Sequence, residues 1–238
     1  MEMLVVLGII AVVLAIALPN IRMKEGSEMD AATRQLIADL ALARAKAIGG
    51  RTTVAVVFVP PGLVFWDLSQ YSKPEQDEIR KLQAGIYTQY ALFSFRRVGD
   101  QPGRNTARYL SEWKTLPEKT FIAEDKFGGL TDIKTVEWFD YYRSLPFPFA
   151  NSPGNAIPYV AFNFEGRPCT ADGSGLTNAV DIHIPLARGV VDYTRDAGGT
   201  VTEFKATEIP DGNSLSSSNH VVIDYYSGRA RLVRAEAK

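Results

Sequence analysis

The residues best suited to chemistry in this 238-residue chain are few and far apart. Histidine occurs at His183 and His220, each in a strand-like run, and a histidine on a sheet face is more often structural than a metal ligand. The single cysteine, Cys169, excludes an internal disulfide and a cysteine-rich metal site. Residues 172–175 (Asp-Gly-Ser-Gly) are small and acidic like a calcium loop. They lack the alternating oxygen ligands of an EF-hand, so we expect a plain turn.

Catalytic sequence patterns are also missing. The chain has no Gly-x-Ser-x-Gly elbow, phosphate-binding loop, dinucleotide fingerprint or His-Glu-x-x-His motif. Carboxylates such as Asp140 and Asp181 are scattered and suggest no acid–base pair. The net charge of −1 gives no sign of a nucleic-acid-binding protein. We therefore predict a protein that is not an enzyme, has no cofactor or metal and requires no nucleic acid.

One acidic residue does stand in an unusual setting. Glu2 precedes an apolar run, residues 3–18, that has no charged, amide or hydroxyl side chain and is closed by Pro19. At roughly 1.5 Å per residue a helix over this run spans about 24 Å. That is a little short of a hydrocarbon core of about 30 Å, and the run fits a membrane anchor, a signal-peptide core or a buried helix. A carboxylate is costly inside the bilayer, but it is favourable in the interface near a helix N-terminus.

Residues 1–20 (MEMLVVLGIIAVVLAIALPN) resemble the N-terminal helix of type IV pilins and type II secretion pseudopilins. In that family an acidic residue is thought to neutralise the N-terminal amine of a neighbouring subunit, and the resemblance places Glu2 in that position. It also implies that the helix loosens at Gly8 and Pro19 on extraction from the membrane. The leader peptide, the Gly before the cleavage site and the Phe of the family do not precede Glu2 here. We expect either a trimmed start or a late start codon.

The resemblance continues beyond the apolar run. Residues 32–48 (ATRQLIADLALARAKAI) look like the LASDLRLARSEAI type of segment in the GspH/FimT group of minor pseudopilins. A β-strand follows in that group, and residues 51–59 (RTTVAVVFV) are rich in β-branched side chains. Residues 161–169 (AFNFEGRPC) and 221–233 (VVIDYYSGRARLV) resemble the two late Gly-Arg turns of the same group. Together these segments place about half of the chain within the resemblance.

The elements that position these residues follow from periodicity. After Pro19 the chain turns polar, and from residue 27 to 48 apolar residues recur at helical spacing on one stripe. The stripe contains Met29, Ala32, Leu36, Ile37, Leu40, Ala43 and Ala47, while Asp30, Arg34, Asp39, Arg44 and Lys46 fall mostly off it. We predict one long or gently kinked helix over residues 1–48, with a transmembrane or filament-core half (residues 1–22) and an amphipathic half that lies on a sheet.

The remaining elements complete an α+β fold with an antiparallel sheet. Strands are predicted at 51–59, 63–68 (a hairpin partner of the first), 86–98, 119–123, 157–164, 180–184 and 201–206, with a hairpin at 220–226 and 230–233. A short helix is predicted within 72–81, and 135–142 fits a helix or a strand. Residues 145–154 are proline-rich and are expected to be irregular. The head spans residues 23–238, with an enlarged insertion at about 69–156. The aromatic residues of this insertion fit either core packing or a partner surface, and we expect core packing for Trp113, Trp138, Tyr141 and Tyr142.

The resemblance implies a minor pilin or pseudopilin that assembles into or primes a type II secretion pseudopilus or a type IV pilus. Its implied partners are other pilins or pseudopilins through the N-terminal helix, an inner-membrane assembly platform, prepilin peptidase acting on the precursor, and membrane lipid. Its implied location is the inner membrane, single-pass, with the head in the periplasm. The alternative is a membrane-anchored enzyme or ligand-binding domain with an unrelated signal anchor. The sequence leaves open whether the subunit belongs to a secretion pseudopilus, a pilus or a DNA-uptake system. It also leaves open whether the subunit lies at the tip or in the shaft, and what the insertion does.

Overall fold

The computed structural model describes Val6 and residues 28–96, 99–100, 106–128, 138–216 and 219–233. Within these ranges, helix α1 runs through residues 28–50 and helix α2 spans Lys73–Gln83. The strands are β1 (Val54–Phe58), β2 (Gln89–Ser94), β3 (Arg108–Tyr109), β4 (Lys114–Thr115), β5 (Thr120–Ile122), β6 (Asp140–Pro146), β7 (Gly154–Phe162), β8 (Pro168–Cys169), β9 (Ile182–Arg195), β10 (Val201–Glu208), β11 (His220–Ile223) and β12 (Ala230–Leu232). Short 3₁₀ helices occur at Pro61–Phe65, Leu68–Gln70, Glu124–Phe127 and Asn213–Leu215.

The strands form two antiparallel sheets. In the described part of the chain, the first sheet has seven strands in the order β3-β2-β1-β7-β6, with β4 also paired to β2 and β8 to β7. Strand β1 lies at its centre because every side chain of Val54–Phe58 is apolar and buried. The second sheet has the order β10-β9-β11-β12, and β5 pairs with β9.

Helix α1 packs on these sheets through the predicted apolar stripe. Ala32, Leu36, Leu40, Ala43 and Ala47 are fully buried, and the helix contacts β1, β7 and β12. The alanines permit a close approach of the helix to the strands because their side chains are small. The predicted α+β fold, in which an N-terminal helix packs on antiparallel sheets, is therefore confirmed. The part of the predicted helix that the structure describes in this position is residues 28–50.

The predicted anchor half of this helix, residues 1–22, lies outside the described residues except for Val6, which is helical. Across the ranges that the structure describes, none of the helices combines the length and apolarity needed to cross a membrane.

Both sheets and α1 share one contiguous hydrophobic core. Between the sheets, Phe58 of β1 stacks on Phe139 with ring centroids 4.4 Å apart, and Phe127 meets the Phe139 ring edge-on at 5.1 Å. The segment 69–156, predicted to be an insertion, supplies β2, β3, β4 and β6 to the first sheet and β5 to the second. Of its named aromatics, Trp113 packs against Phe147 as predicted. The assignment to core packing is wrong for Trp138, Tyr141 and Tyr142, which are exposed.

The prediction of a strand at residues 63–68 is wrong. The chain enters a 3₁₀ helix at Pro61–Phe65, directly after Pro60. A proline in the first turn has its fixed φ and missing N–H accommodated there, so the turn continues as helix. The partners of β1 are instead β2 and β7, which pair with it on either side.

The prediction that residues 145–154 are irregular is wrong at both ends. Leu145 pairs with Asn155, and Pro146 pairs with Gly154, across the β6–β7 ladder. Proline is tolerated here because β6 is the outer strand of the sheet path, where a missing N–H costs little.

The placement of Asp39 off the buried stripe is also wrong, since its side chain is buried with a residue exposure of only 6%. The carboxylate accepts a hydrogen bond of 2.7 Å from the Tyr90 hydroxyl and pairs with the Lys114 ammonium at 2.5 Å. Gln35, one turn earlier, donates to the same tyrosine oxygen at 3.0 Å. Burial, and then the hydrogen bond to Asp39, raise the pKa of Tyr90. These polar contacts join α1 to β2 and β4 and make burial of the carboxylate tolerable.

We expect Asp39→Ala to destabilise the head by about 1–3 kcal/mol, because the buried Tyr90 hydroxyl loses its acceptor and Lys114 loses its counter-charge. Urea titration of the full chain in a mild non-ionic detergent, read by tryptophan fluorescence, measures the change. Asp30→Ala is the matched control, since Asp30 lies exposed on the same helix. Equal unfolding midpoints for the two variants would contradict this role of Asp39.

Candidate functional site

The residues predicted to act in assembly, Glu2, Gly8 and Pro19, lie outside the described residues. The structure does show how the head holds helix α1, residues 28–50. That junction, and the helix face that it leaves exposed, form the candidate functional site.

Arg44 of α1 is the centre of the junction. Its Nε–H donates to the Gly166 carbonyl at 3.1 Å and to the Ser227 carbonyl at 2.8 Å. A charged donor makes stronger hydrogen bonds to carbonyl oxygens than a neutral one does. The prediction placed Arg44 off the buried stripe, but its side chain is half-buried and bridges two turns of the head.

Both turns are those predicted from the Gly-Arg pairs. In the first, residues 163–167, the Asn163 side-chain oxygen accepts from the backbone N–H groups of Glu165 and Arg167, at 3.0 Å each. In the second, residues 224–229, the Asp224 carboxylate accepts from the Ser227 N–H at 2.6 Å. Hydrogen bonds from the side chain and backbone of Ser227 lower the pKa of Asp224. We call these the Gly166 turn and the Gly228 turn.

The two turns touch each other as well as Arg44. Gly166 and Gly228 have φ of +79° and +63°, in the left-handed region that favours glycine. A Cβ atom on Gly228 would lie 1.9 Å from the Gly166 carbonyl oxygen, far inside contact distance. Glycine is therefore required at 228 for two independent reasons, and the contact places the Gly166 carbonyl where Arg44 binds it.

Sequence reasoning identified the turns but missed Arg44. Helical periodicity assigns the direction in which a side chain leaves the helix, and it ignores how far a long side chain reaches. The available signal was the arginine in the LAR portion of residues 32–48, which the LASDLRLARSEAI segment also contains.

The side of α1 opposite the buried stripe is exposed and carries few charged residues. Along it, positions advance by alternating steps of three and four residues, the spacing by which helices pack on one another. These exposed residues are Ala31, Arg34, Ala38, Ala41, Ala45 and Ile48, and we call them the open face. All except Arg34 are apolar, and the exposed charged residues Asp30 and Lys46 lie beside them. A helix face turned to water normally carries more polar residues than this. The open face has the composition expected of a surface for close helix packing.

The two histidines lie side by side on neighbouring strands of the second sheet, His183 in β9 and His220 in β11. The His183 and His220 rings meet edge-on at 5.8 Å, and His220 Nε2 contacts the Ser214 carbonyl at 2.8 Å. Burial, followed by the charges of His220 and Lys126, lowers the pKa of His183. Within the described ranges, no three His, Cys, Asp or Glu side chains are grouped so as to hold a metal ion.

The other two predicted features behave as structural elements. Residues 172–175 form a turn in which the Asp172 carboxylate accepts from the Thr170 hydroxyl and the Ser174 N–H, as predicted. Cys169 is buried in β8, and this burial, with a contribution from Asp172, raises the pKa of its thiol to about 12. A thiol in this state is shielded and unreactive at neutral pH.

A cavity of about 370 Å³ lies between the sheets, beside Cys169. Phe139, Tyr159 and the buried Lys126 contribute to its walls, and the Lys126 ammonium lies 5.0 Å from the centre of the Phe139 ring. The walls are partly polar and partly apolar, which suits a small molecule with both characters.

We expect Arg44→Met to lower the free energy of unfolding by about 1.5–3 kcal/mol, because two carbonyls lose a charged donor. Arg44→Lys should recover only part of this, since an ammonium lacks the fixed planar N–H geometry of a guanidinium. Urea titration in detergent measures both, and Arg34→Met on the open face is the control. If Arg44→Met unfolds at the same urea concentration as Arg34→Met, the junction does not stabilise the head.

Comparison with known proteins found no family model, no curated protein and no solved structure that matches this chain.

Proposed function

We propose that the chain is a minor pilin or pseudopilin of the GspH/FimT type. In this proposal an N-terminal helix anchors it in the inner membrane, the head lies in the periplasm, and the subunit assembles into or primes a type II secretion pseudopilus or a type IV pilus. Its partners are other pilins or pseudopilins, met through the N-terminal helix, together with the assembly platform and the prepilin peptidase.

The observation that carries the proposal is the junction at Arg44. The segments that resemble the family stand far apart in the sequence, since Arg44 is 122 residues from Gly166 and 183 from Ser227. They nevertheless meet at one guanidinium. In addition, α1 shares an acidic and a basic residue with the LASDLRLARSEAI segment, Asp39 and Arg44. Both form polar contacts that join the helix to the head. If the resemblance of these segments to the family were accidental, contact between them in the fold would not be expected.

The open face supports the same function from the other side of the helix. A filament subunit must hold its long helix firmly on the head while leaving part of it free for neighbouring subunits. Helix α1 meets both needs. Its buried stripe and the polar contacts of Asp39 and Arg44 fix one side, and the open face on the other side is alanine except for Arg34 and Ile48. Small side chains allow helices to approach closely.

Glu2 supplies the assembly chemistry in this proposal. A helix that leaves the bilayer needs another apolar environment, and a core of parallel helices provides one. Within it the Glu2 carboxylate would pair with the N-terminal amine of a neighbouring subunit. An unpaired charge buried in such a bundle is destabilising by about 3–5 kcal/mol, so the pair sets the register in which one subunit joins the next.

A second candidate is a ligand-binding head on an unrelated signal anchor. The cavity of about 370 Å³ between the sheets is the observation that favours it. The two candidates give Glu2 different roles. It is an assembly group in the first and only an interfacial carboxylate in the second.

We expect Glu2→Ala and Glu2→Gln in the full-length precursor to insert into the membrane and fold normally but to join filaments less well. Insertion is spared because removing a charge makes an apolar helix cheaper to bury. Incorporation suffers because the neighbour's amine is left unpaired. Site-specific cross-linking to filament partners, in membranes and in isolated filaments, measures incorporation.

The matched control is Asp30→Asn, which removes an exposed carboxylate from the same helix without touching the apolar run. It should cross-link like the wild type. A subunit at the filament tip has no neighbour ahead of it, so a tip position predicts a smaller loss than a shaft position. Wild-type cross-linking by both Glu2 variants would contradict the assembly role and favour the ligand-binding candidate.

A further inference from the structure

An aromatic pocket of about 180 Å³ lies beside the 3₁₀ helix Pro61–Phe65, away from the α1 junction. Its walls include the rings of Phe65, Tyr87, Phe127 and Phe204. These residues come from four parts of the chain: the 3₁₀ helix itself, the turn before β2, the 3₁₀ helix Glu124–Phe127 and strand β10. The fold therefore forms this pocket from separate segments, and no single sequence motif predicts it.

Three of the rings form a fixed corner. Tyr87 meets Phe127 with ring centroids 5.2 Å apart and Phe204 at 5.6 Å, both at steep interplanar angles. Tyr87 itself is buried and holds a left-handed φ of +66°, an unusual conformation for a bulky residue. The fourth ring, Phe65, is 81% exposed. A phenylalanine this exposed beside an apolar pocket marks a surface where binding of a partner would remove apolar area from water, which is favourable.

Acidic groups border the aromatic corner. Glu124 lines the pocket and also the adjoining groove of about 410 Å³, whose other charged residues are Asp125, Glu208, Asp211 and Lys205. Four carboxylates against one ammonium give this region a negative potential. After burial, the charge of Glu124 is the next cause of the raised pKa of Tyr87, as expected for a carboxylate close to the tyrosine side chain. The Glu124 carboxylate therefore borders the aromatic corner.

We propose that this pocket receives an arginine side chain from a partner protein. A guanidinium is planar, stacks on aromatic faces and pairs with a carboxylate, and those are the groups present here. Cations placed over aromatic rings gain from the ring quadrupole, and the neighbouring carboxylates add attraction at longer range. An uncharged apolar side chain would contact the rings but would make no ion pair with the Glu124 carboxylate, which also lines the pocket. This inference does not depend on the filament proposal.

The probe is N-acetyl-arginine methylamide, titrated into the full chain in a mild detergent. Labelling with ¹⁵N-glycine gives at most 19 backbone signals, among them Gly62 and Gly128, which line the pocket. We expect saturable shifts at these two glycines. N-acetyl-citrulline methylamide, which has nearly the same shape without the charge, should bind about two- to fivefold more weakly, as expected for loss of a cation–π contact.

Two substitutions test the pocket walls. Phe65→Ala and Glu124→Gln should each weaken the arginine probe, and both residues are exposed, so the remaining glycine signals should keep their wild-type positions. The matched controls are Phe164→Ala and Glu165→Gln, an exposed pair in the Gly166 turn, and they should bind as the wild type does. Equal affinity for arginine and citrulline, unchanged binding by Phe65→Ala and Glu124→Gln, or no saturable shift at Gly62 and Gly128 would each overturn the proposal.

Discussion

The head depends on one guanidinium that reaches across three segments of the chain. Arg44 leaves the side of α1 and satisfies the carbonyls of Gly166 and Ser227 with a single N–H group. Because both acceptors belong to tight turns, the contact fixes the ends of two hairpins against the helix at once. The Asp39 carboxylate, just over one helical turn earlier, performs a similar task toward β2 and β4. The helix is therefore attached to the head at two points along its length.

This arrangement makes backbone geometry at the turns as important as the side chain that joins them. Gly228 approaches the Gly166 carbonyl so closely that no Cβ atom fits between them. The positive φ at both glycines lets each chain reverse within a few residues, so that its carbonyls point toward α1. The buried stripe supplies most of the apolar contact, while Arg44 and Asp39 define where along the sheets the helix sits. The opposite side of α1 carries the open face, which is alanine except for Arg34 and Ile48.

Much of this could be predicted from the sequence, since helical periodicity gave the buried stripe and β-branched runs gave β1 and several other strands. The Gly-Arg pairs gave both turns. The strand at 63–68 was wrong because proline geometry favours a 3₁₀ turn there, and residues 145–154 were only partly irregular because an outer strand tolerates Pro146. Asp39 and Arg44 escaped the helical pattern because their role comes from distant partners. No sequence pattern indicated the aromatic pocket beside Phe65, because its walls come from four separated segments.

Our proposal for helix α1 is that one side is fixed to the head and the opposite side is available to other subunits. Its most direct test is thiol labelling of Ala41→Cys on the open face, with Thr202→Cys on the exposed surface of β10 as the reference. Cys169 is buried and contributes little background. We predict that a maleimide labels both introduced cysteines in detergent-dispersed chains, and that only Ala41→Cys becomes protected in assembled complexes isolated from membranes. Equal labelling of Ala41→Cys in the dispersed and assembled states would contradict the account.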